Sequence, residues 1–212
     1  MTALIVVATI DAAIFGNTTA NKDQNYGTAV TFQTGGGITA LLARGIFLFD
    51  LSFLEAGTII NSAYISFFSA SALNANASQL LEIPVADVGW VEGTKNGAIE
   101  VGSNCWNWYA YNTVAWSSGV GCPGGTFIAN FNTPTPQYAE VQIVLGPAMV
   151  QAWVGPSGIN PGVIAKAQTG TVSPRAMYTK DFSNALYRPK ITMDIAYPVN
   201  LKPPTVWPHY RM

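Results

Sequence analysis

Apolar and polar residues alternate through most of the patterned stretches of this chain, and no stretch sustains the spacing of a long amphipathic helix. That property confines it to β architecture. Over residues 188–197, Ile191, Met193 and Ile195 point one way and Lys190, Thr192 and Asp194 the other, the pattern of a half-buried strand. Residues 138–145 repeat it, with Ala139, Val141, Ile143 and Leu145 opposed to Glu140 and Gln142. Residues 44–53 and 58–70 are longer and richer in Phe and Ile, and the connector Leu54-Glu55-Ala56-Gly57 predicts a hairpin between them. Further strands are expected over 3–10, 29–34, 79–90, 126–131 and 162–169, separated by Pro, Gly and Asn clusters at intervals that suit a β-sandwich. One exception follows Pro147, where 148–153 predicts a turn or two of helix with Met149 and Trp153 capping the core.

A chain of 212 residues fits one large β domain. We divide it into a sandwich over 1–197 and an extended arm over 198–212, because Pro198, Pro203, Pro204 and Pro208 remove backbone donors and favour an extended run. The arm carries Trp207, His209, Tyr210 and Arg211, groups suited to docking on a neighbour or back on the chain's own sandwich. At the other end, 4–8 is apolar but lacks a basic segment before it and is far too short to cross a bilayer. It reads as a first strand, and a cleaved secretion signal is not expected.

Charge narrows the partners. Only 10% of residues are Asp, Glu, Lys or Arg, against about 25% in ordinary soluble domains, while 49% are hydrophobic. The surface must therefore be uncharged polar groups or be covered by other subunits. A net charge of −1 gives no long-range attraction to nucleic acid or to an anionic membrane, and neither is expected as a partner.

Few residues are equipped for catalysis. His209, the only histidine, lies in the Pro-rich arm, which leaves little basis for a Ser-His-acid triad or a Cys-His pair. Two carboxylates would serve glycoside hydrolysis, and Asp11, Asp50, Asp87, Glu92, Glu100 and Asp194 are formal candidates, but spacing does not establish the geometry of any pair. Asp50 is better read as an ion-pair partner of Arg44 or as a loop anchor. Glu92 sits in Trp90-Val91-Glu92-Gly93, where a carboxylate can organise a turn. Asp11, Asp23 and Asp50 offer hard oxygens without the spacing of a calcium loop, so no metal is expected. No cofactor is expected either, since Gly35-Gly36-Gly37 precedes a strand and lacks the sequel of a phosphate loop.

Trp106, Trp108, Tyr109, Tyr111 and Trp116 form the candidate contact set. Flat rings beside Asn104, Asn107 and Asn112 can stack on sugar faces, but core and interface packing is the reading they suit better. Cys105 and Cys122 flank this loop. A bridge between them would stabilise by roughly 3 kcal/mol on chain-entropy grounds, and two unpaired thiols are the alternative in a reducing compartment.

In order along the chain, Asp11, Asn25-Tyr26-Gly27-Thr28, Arg44, Phe49-Asp50-Leu51-Ser52, Gly57-Thr58-Ile59 and Ser62-Ala63-Tyr64-Ile65 resemble the first half of a DNRLRE-type domain. Trp90-Val91-Glu92-Gly93, Trp106, Trp116, Trp153, Phe182-Ser183 and Arg188-Pro189-Lys190-Ile191 continue the resemblance, which spans about residues 9 to 197. The chain departs in lacking the string that names the family, in Asn184 following Ser183 where an acidic residue is expected, and in its added cysteines. The resemblance implies a jelly-roll sandwich similar to carbohydrate-binding modules, of a kind found in extracellular, cell-wall and phage structural proteins. It carries over no sugar-binding residue.

The expectation is therefore an antiparallel jelly-roll sandwich with a C-terminal arm, acting without catalysis. Its expected place is a bacteriophage-like virion made in the host cytoplasm, as a capsid decoration or cement protein, or else as a tail or fibre component. Expected partners are further copies of itself, as a homotrimer, and the major capsid or tail proteins. A carbohydrate-binding module or adhesin that holds glycan on the aromatic loop is the alternative.

Overall fold

A computed structural model describes residues 2–16, 18–35, 42–73, 75–118, 124–155, 158–168 and 174–197. In chain order its strands are β1 (Thr2–Val7), β2 (Ile10–Phe15), β3 (Thr31–Thr34), β4 (Ala43–Leu48), β5 (Ile59–Phe68), β6 (Ala77–Glu82) and β7 (Trp108–Ala110). They continue with β8 (Val114–Ala115), β9 (Thr126–Asn132), β10 (Glu140–Leu145), β11 (Val163–Ala167), β12 (Arg175–Tyr178) and β13 (Lys190–Ala196). One helix, α1 (Pro147–Trp153), begins at the proline that predicts it, and its Val150 and Trp153 are buried. The proposed arm, with Trp207, His209, Tyr210 and Arg211, lies outside the described residues, as does Cys122.

Two antiparallel sheets face each other. The four-stranded sheet runs β1-β13-β5-β10 and the five-stranded sheet β2-β4-β11-β6-β9. The chain changes sheet between β1 and β2, β4 and β5, β5 and β6, β9 and β10, β10 and β11, and again on reaching β13. That alternation makes the sandwich a jelly roll. Inward residues of both sheets form the main core together with Phe32 from the separate two-stranded pair of β3 and β12, and Phe32, Phe47 and Phe67 meet there at ring distances of 4.8, 5.6 and 4.9 Å.

The expected hairpin between residues 44–53 and 58–70 does not form, because β4 and β5 belong to opposite sheets. Beyond Leu48 the side chains of Phe49, Leu51 and Leu54 are all buried in the main core. Burying three large apolar groups in the connection carries the chain across the end of the sandwich. Asp50 secures the turn, accepting from the Ser52 amide at 2.9 Å and the Ser52 hydroxyl at 2.6 Å, so its loop-anchoring role is the one realised. Arg44 instead places its guanidinium 4.7 Å from the Trp106 ring.

The outer faces of the two sheets differ. On the five-stranded sheet, Ala12, Ile14, Ile46, Leu81, Ile83 and Ile164 form a second core with Trp90, Trp106 and Trp116, contributed by the loop that follows β6. On the four-stranded sheet, Ile5, Thr192, Tyr64 and Val144 stand in one cross-strand row, and no comparable cluster of the described residues covers them. Val144 is 76% exposed and Ile59, near the start of the same face, 53%.

Candidate functional site

The loop over the five-stranded sheet is held by buried polar groups. Asn25, 1% exposed, donates through Nδ2 to the carbonyls of Glu92 and Asn104, while its Oδ1 accepts from the amides of Gly27 (3.1 Å) and Lys95 (3.2 Å). A Cβ at Gly27 would fall 2.5 Å from the carbonyl oxygens of both Glu92 and Gly93, so only glycine allows this approach. The Asn25-Tyr26-Gly27 signature thus reads structurally as the clamp for Trp90-Val91-Glu92-Gly93.

Further along the loop, Asp87 accepts from the Ser117 amide and hydroxyl at 2.7 and 2.8 Å. Trp90 and Trp116 donate their indole N–H groups to the carbonyls of Pro161 (3.1 Å) and Cys105 (2.9 Å), which leaves neither polar edge unmet. Asn107 donates to Asp23 at 2.8 Å.

This arrangement corrects part of the expected contact set. Trp106 and Trp116 are 4% and 2% exposed within the second core, so neither offers a ring face to a sugar or a neighbour. Trp108, Tyr109 and Tyr111 are half-buried, Trp108 meeting Tyr111 edge-on at 6.3 Å and Tyr109 meeting Trp116 at 5.8 Å. Cys105 is buried beside them.

A carboxylate cluster lies where the loop meets β2. Asp11, wholly buried on β2, accepts the Lys180 backbone N–H through Oδ2 at 2.6 Å, and its own backbone N–H donates to Glu92 Oε1 at 3.3 Å. The Lys180 ammonium lies 2.8 Å from Glu92 Oε1 and 3.0 Å from Asp181 Oδ1. Oxygens of Asp11, Glu92 and Asp181 fall within 4.8 Å of one another. Asp11 Oδ1 is buried without a hydrogen-bond partner.

Burial pushes the Asp11 carboxyl up to about 8, against the lowering effect of the Lys180 amide. Burial also raises Glu92, opposed by Lys180. Lys180 itself would be lowered by burial, but its bonds to Glu92 and Asp181 outweigh that and hold it above its ordinary value.

Sequence reading gave Asp11 and Glu92 as separate acids and missed Lys180 and Asp181. Asp23 and Asp50, weighed with Asp11 as oxygen donors, are bonded elsewhere, to Asn107 and Ser52.

A second aromatic group, also missed, sits where β5, β10 and β12 end or begin. Tyr178 stacks on Phe182 at 3.8 Å and on Tyr138 at 5.7 Å, and Tyr187 lies 4.6 Å from Tyr138. Tyr138 is 45% exposed and has a left-handed backbone with φ of 68°, an unusual conformation for a bulky residue.

No protein-family model matches the chain, and no curated protein matches it. Fold and site define an all-β jelly-roll sandwich with one loop-covered face, one face that no cluster of the described residues covers, and a largely enclosed carboxylate cluster.

Proposed function

We propose that the chain is a non-catalytic structural subunit of a bacteriophage-like particle, made in the host cytoplasm and carried in the virion, where it acts as a capsid decoration or cement protein. A tail or fibre component is the variant of the same reading. The observation that carries it is the outer face of the four-stranded sheet, with its row of Ile5, Thr192, Tyr64 and Val144, which no cluster of the described residues covers. This face mixes Ile5, Ile59 and Val144 with polar groups such as Thr192 and Gln142, a composition that association with other subunits can bury. The low charge of the chain and its resemblance to DNRLRE-type domains support the same reading. Asp11 is buried and Glu92 and Asp181 pair with Lys180, an arrangement compatible with a non-catalytic role.

Its partners on this reading are two further copies of itself in a closed trimer and the shell or tail proteins beneath. Gradient-purified particles from the source should contain the chain in fixed ratio to the major shell protein. Recovery only from the free soluble fraction would contradict the reading.

The Tyr138, Phe182 and Tyr187 rings favour a second reading, a carbohydrate-binding module or adhesin, because clustered, partly exposed aromatic rings can meet the apolar face of a sugar. A glycan array would support it through specific binding lost in Tyr138→Ala, or in Trp108→Ala if the loop is used.

A further inference from the structure

We propose that Asp11, Glu92 and Asp181 form a binding site for a hard divalent cation of calcium's size. Three segments distant in sequence bring these carboxylates together: β2, the loop after β6, and the turn after β12. Their oxygens lie within 4.8 Å of one another, and oxygens that share one calcium ion are separated by at most about 5 Å. Proximity alone would not distinguish a cation site from a charged cluster tied by its own lysine. Asp11 supplies the further observation.

Asp11 is wholly buried, and its Oδ1 meets no donor although Oδ2 accepts the Lys180 amide. A buried carboxylate oxygen without a partner is costly, and a cation satisfies it directly. The Lys180 ammonium bonds Glu92 and Asp181, so the three acidic side chains share a single basic partner. The lysine side chain is 20% exposed and can swing outward while its backbone N–H keeps Asp11 Oδ2 in place. Three protein ligands leave the remaining positions to water. Such a site belongs to the weak range of calcium affinities, on the order of 10⁻⁴–10⁻³ M.

The test uses the full chain, stripped with chelator and titrated with calcium chloride or magnesium chloride while thermal unfolding is followed. Calcium at millimolar concentration is expected to raise the midpoint by a few degrees through binding to the folded state. Magnesium should act more weakly, because it gives up its water reluctantly. Asp181→Asn, at a partly exposed position, should abolish the shift while leaving the circular dichroism spectrum unchanged, and Asp11→Asn should do the same if it folds. Lys180→Met should respond at lower calcium than the parent chain. No shift in the parent chain, an equal shift in Asp181→Asn, or an unaltered calcium response in Lys180→Met would each overturn the proposal.

Discussion

Asp11 shows most directly how burial sets chemistry in this molecule. Its carboxyl is pushed from an ordinary 3.8 to about 8 by loss of water, so the folded chain holds a proton that the unfolded chain releases. The sign follows from that difference. Stability is greatest below the unfolded value, falls as pH rises between about 4 and 8, and levels off above, with a slope of at most about 1.4 kcal/mol per pH unit. Glu92, also raised, adds in the same direction, whereas the raised Lys180 loses its contribution only at strongly alkaline pH. Urea unfolding in chelator across this range should show the decline, and Asp11→Asn should flatten it. Asn25→Ala should cost roughly 2–3 kcal/mol in the same assay, because it leaves buried loop carbonyls and amides without partners. At this scale the sequence was only partly readable. Asp11, Asn25 and Glu92 are among the residues that carry the family resemblance, but Lys180 and Asp181 belong to the cluster through tertiary contacts that leave no spacing in the chain.

Among the elements, β13 and β10 were legible because one face of each is buried and the other is not. In β13, Ile191, Met193 and Ile195 are at most 1% exposed, as their alternation requires. The segment β2 escaped notice for the opposite reason. Its Asp11, Ala12, Ala13 and Ile14 are buried on both faces, under the main core on one side and the loop-built core on the other, so alternation vanishes. The supposed hairpin failed because Phe49, Leu51 and Leu54 read as strand or turn residues when they actually plug the end of the sandwich. The covering loop behaves as an element in its own right, anchored by three tryptophans. Trp116→Ala should remove about 3–5 kcal/mol of packing from it. Native-state hydrogen exchange should then quicken over 84–118 while β13 keeps its protection, whereas uniform loss across both would show that the loop and the sandwich unfold as one unit.

For the whole molecule, the asymmetry between its two outer faces organises the account. One face supports a complete second core, while the other presents a cross-strand row ending in Val144, 76% exposed. Sandwich architecture could be read from period and punctuation, but which face would be covered could not, since that depends on where a loop of modest apolar content comes to rest. Placing a charge at Val144 tests the open face without touching either core. The most direct measurement is sedimentation equilibrium of the intact chain beside Val144→Lys over a wide concentration range. A closed trimer that the substitution converts to a monomer, with the unfolding midpoint unchanged, is the predicted result. Monomers at every concentration for both proteins would contradict the claim that this face is buried between copies of the chain.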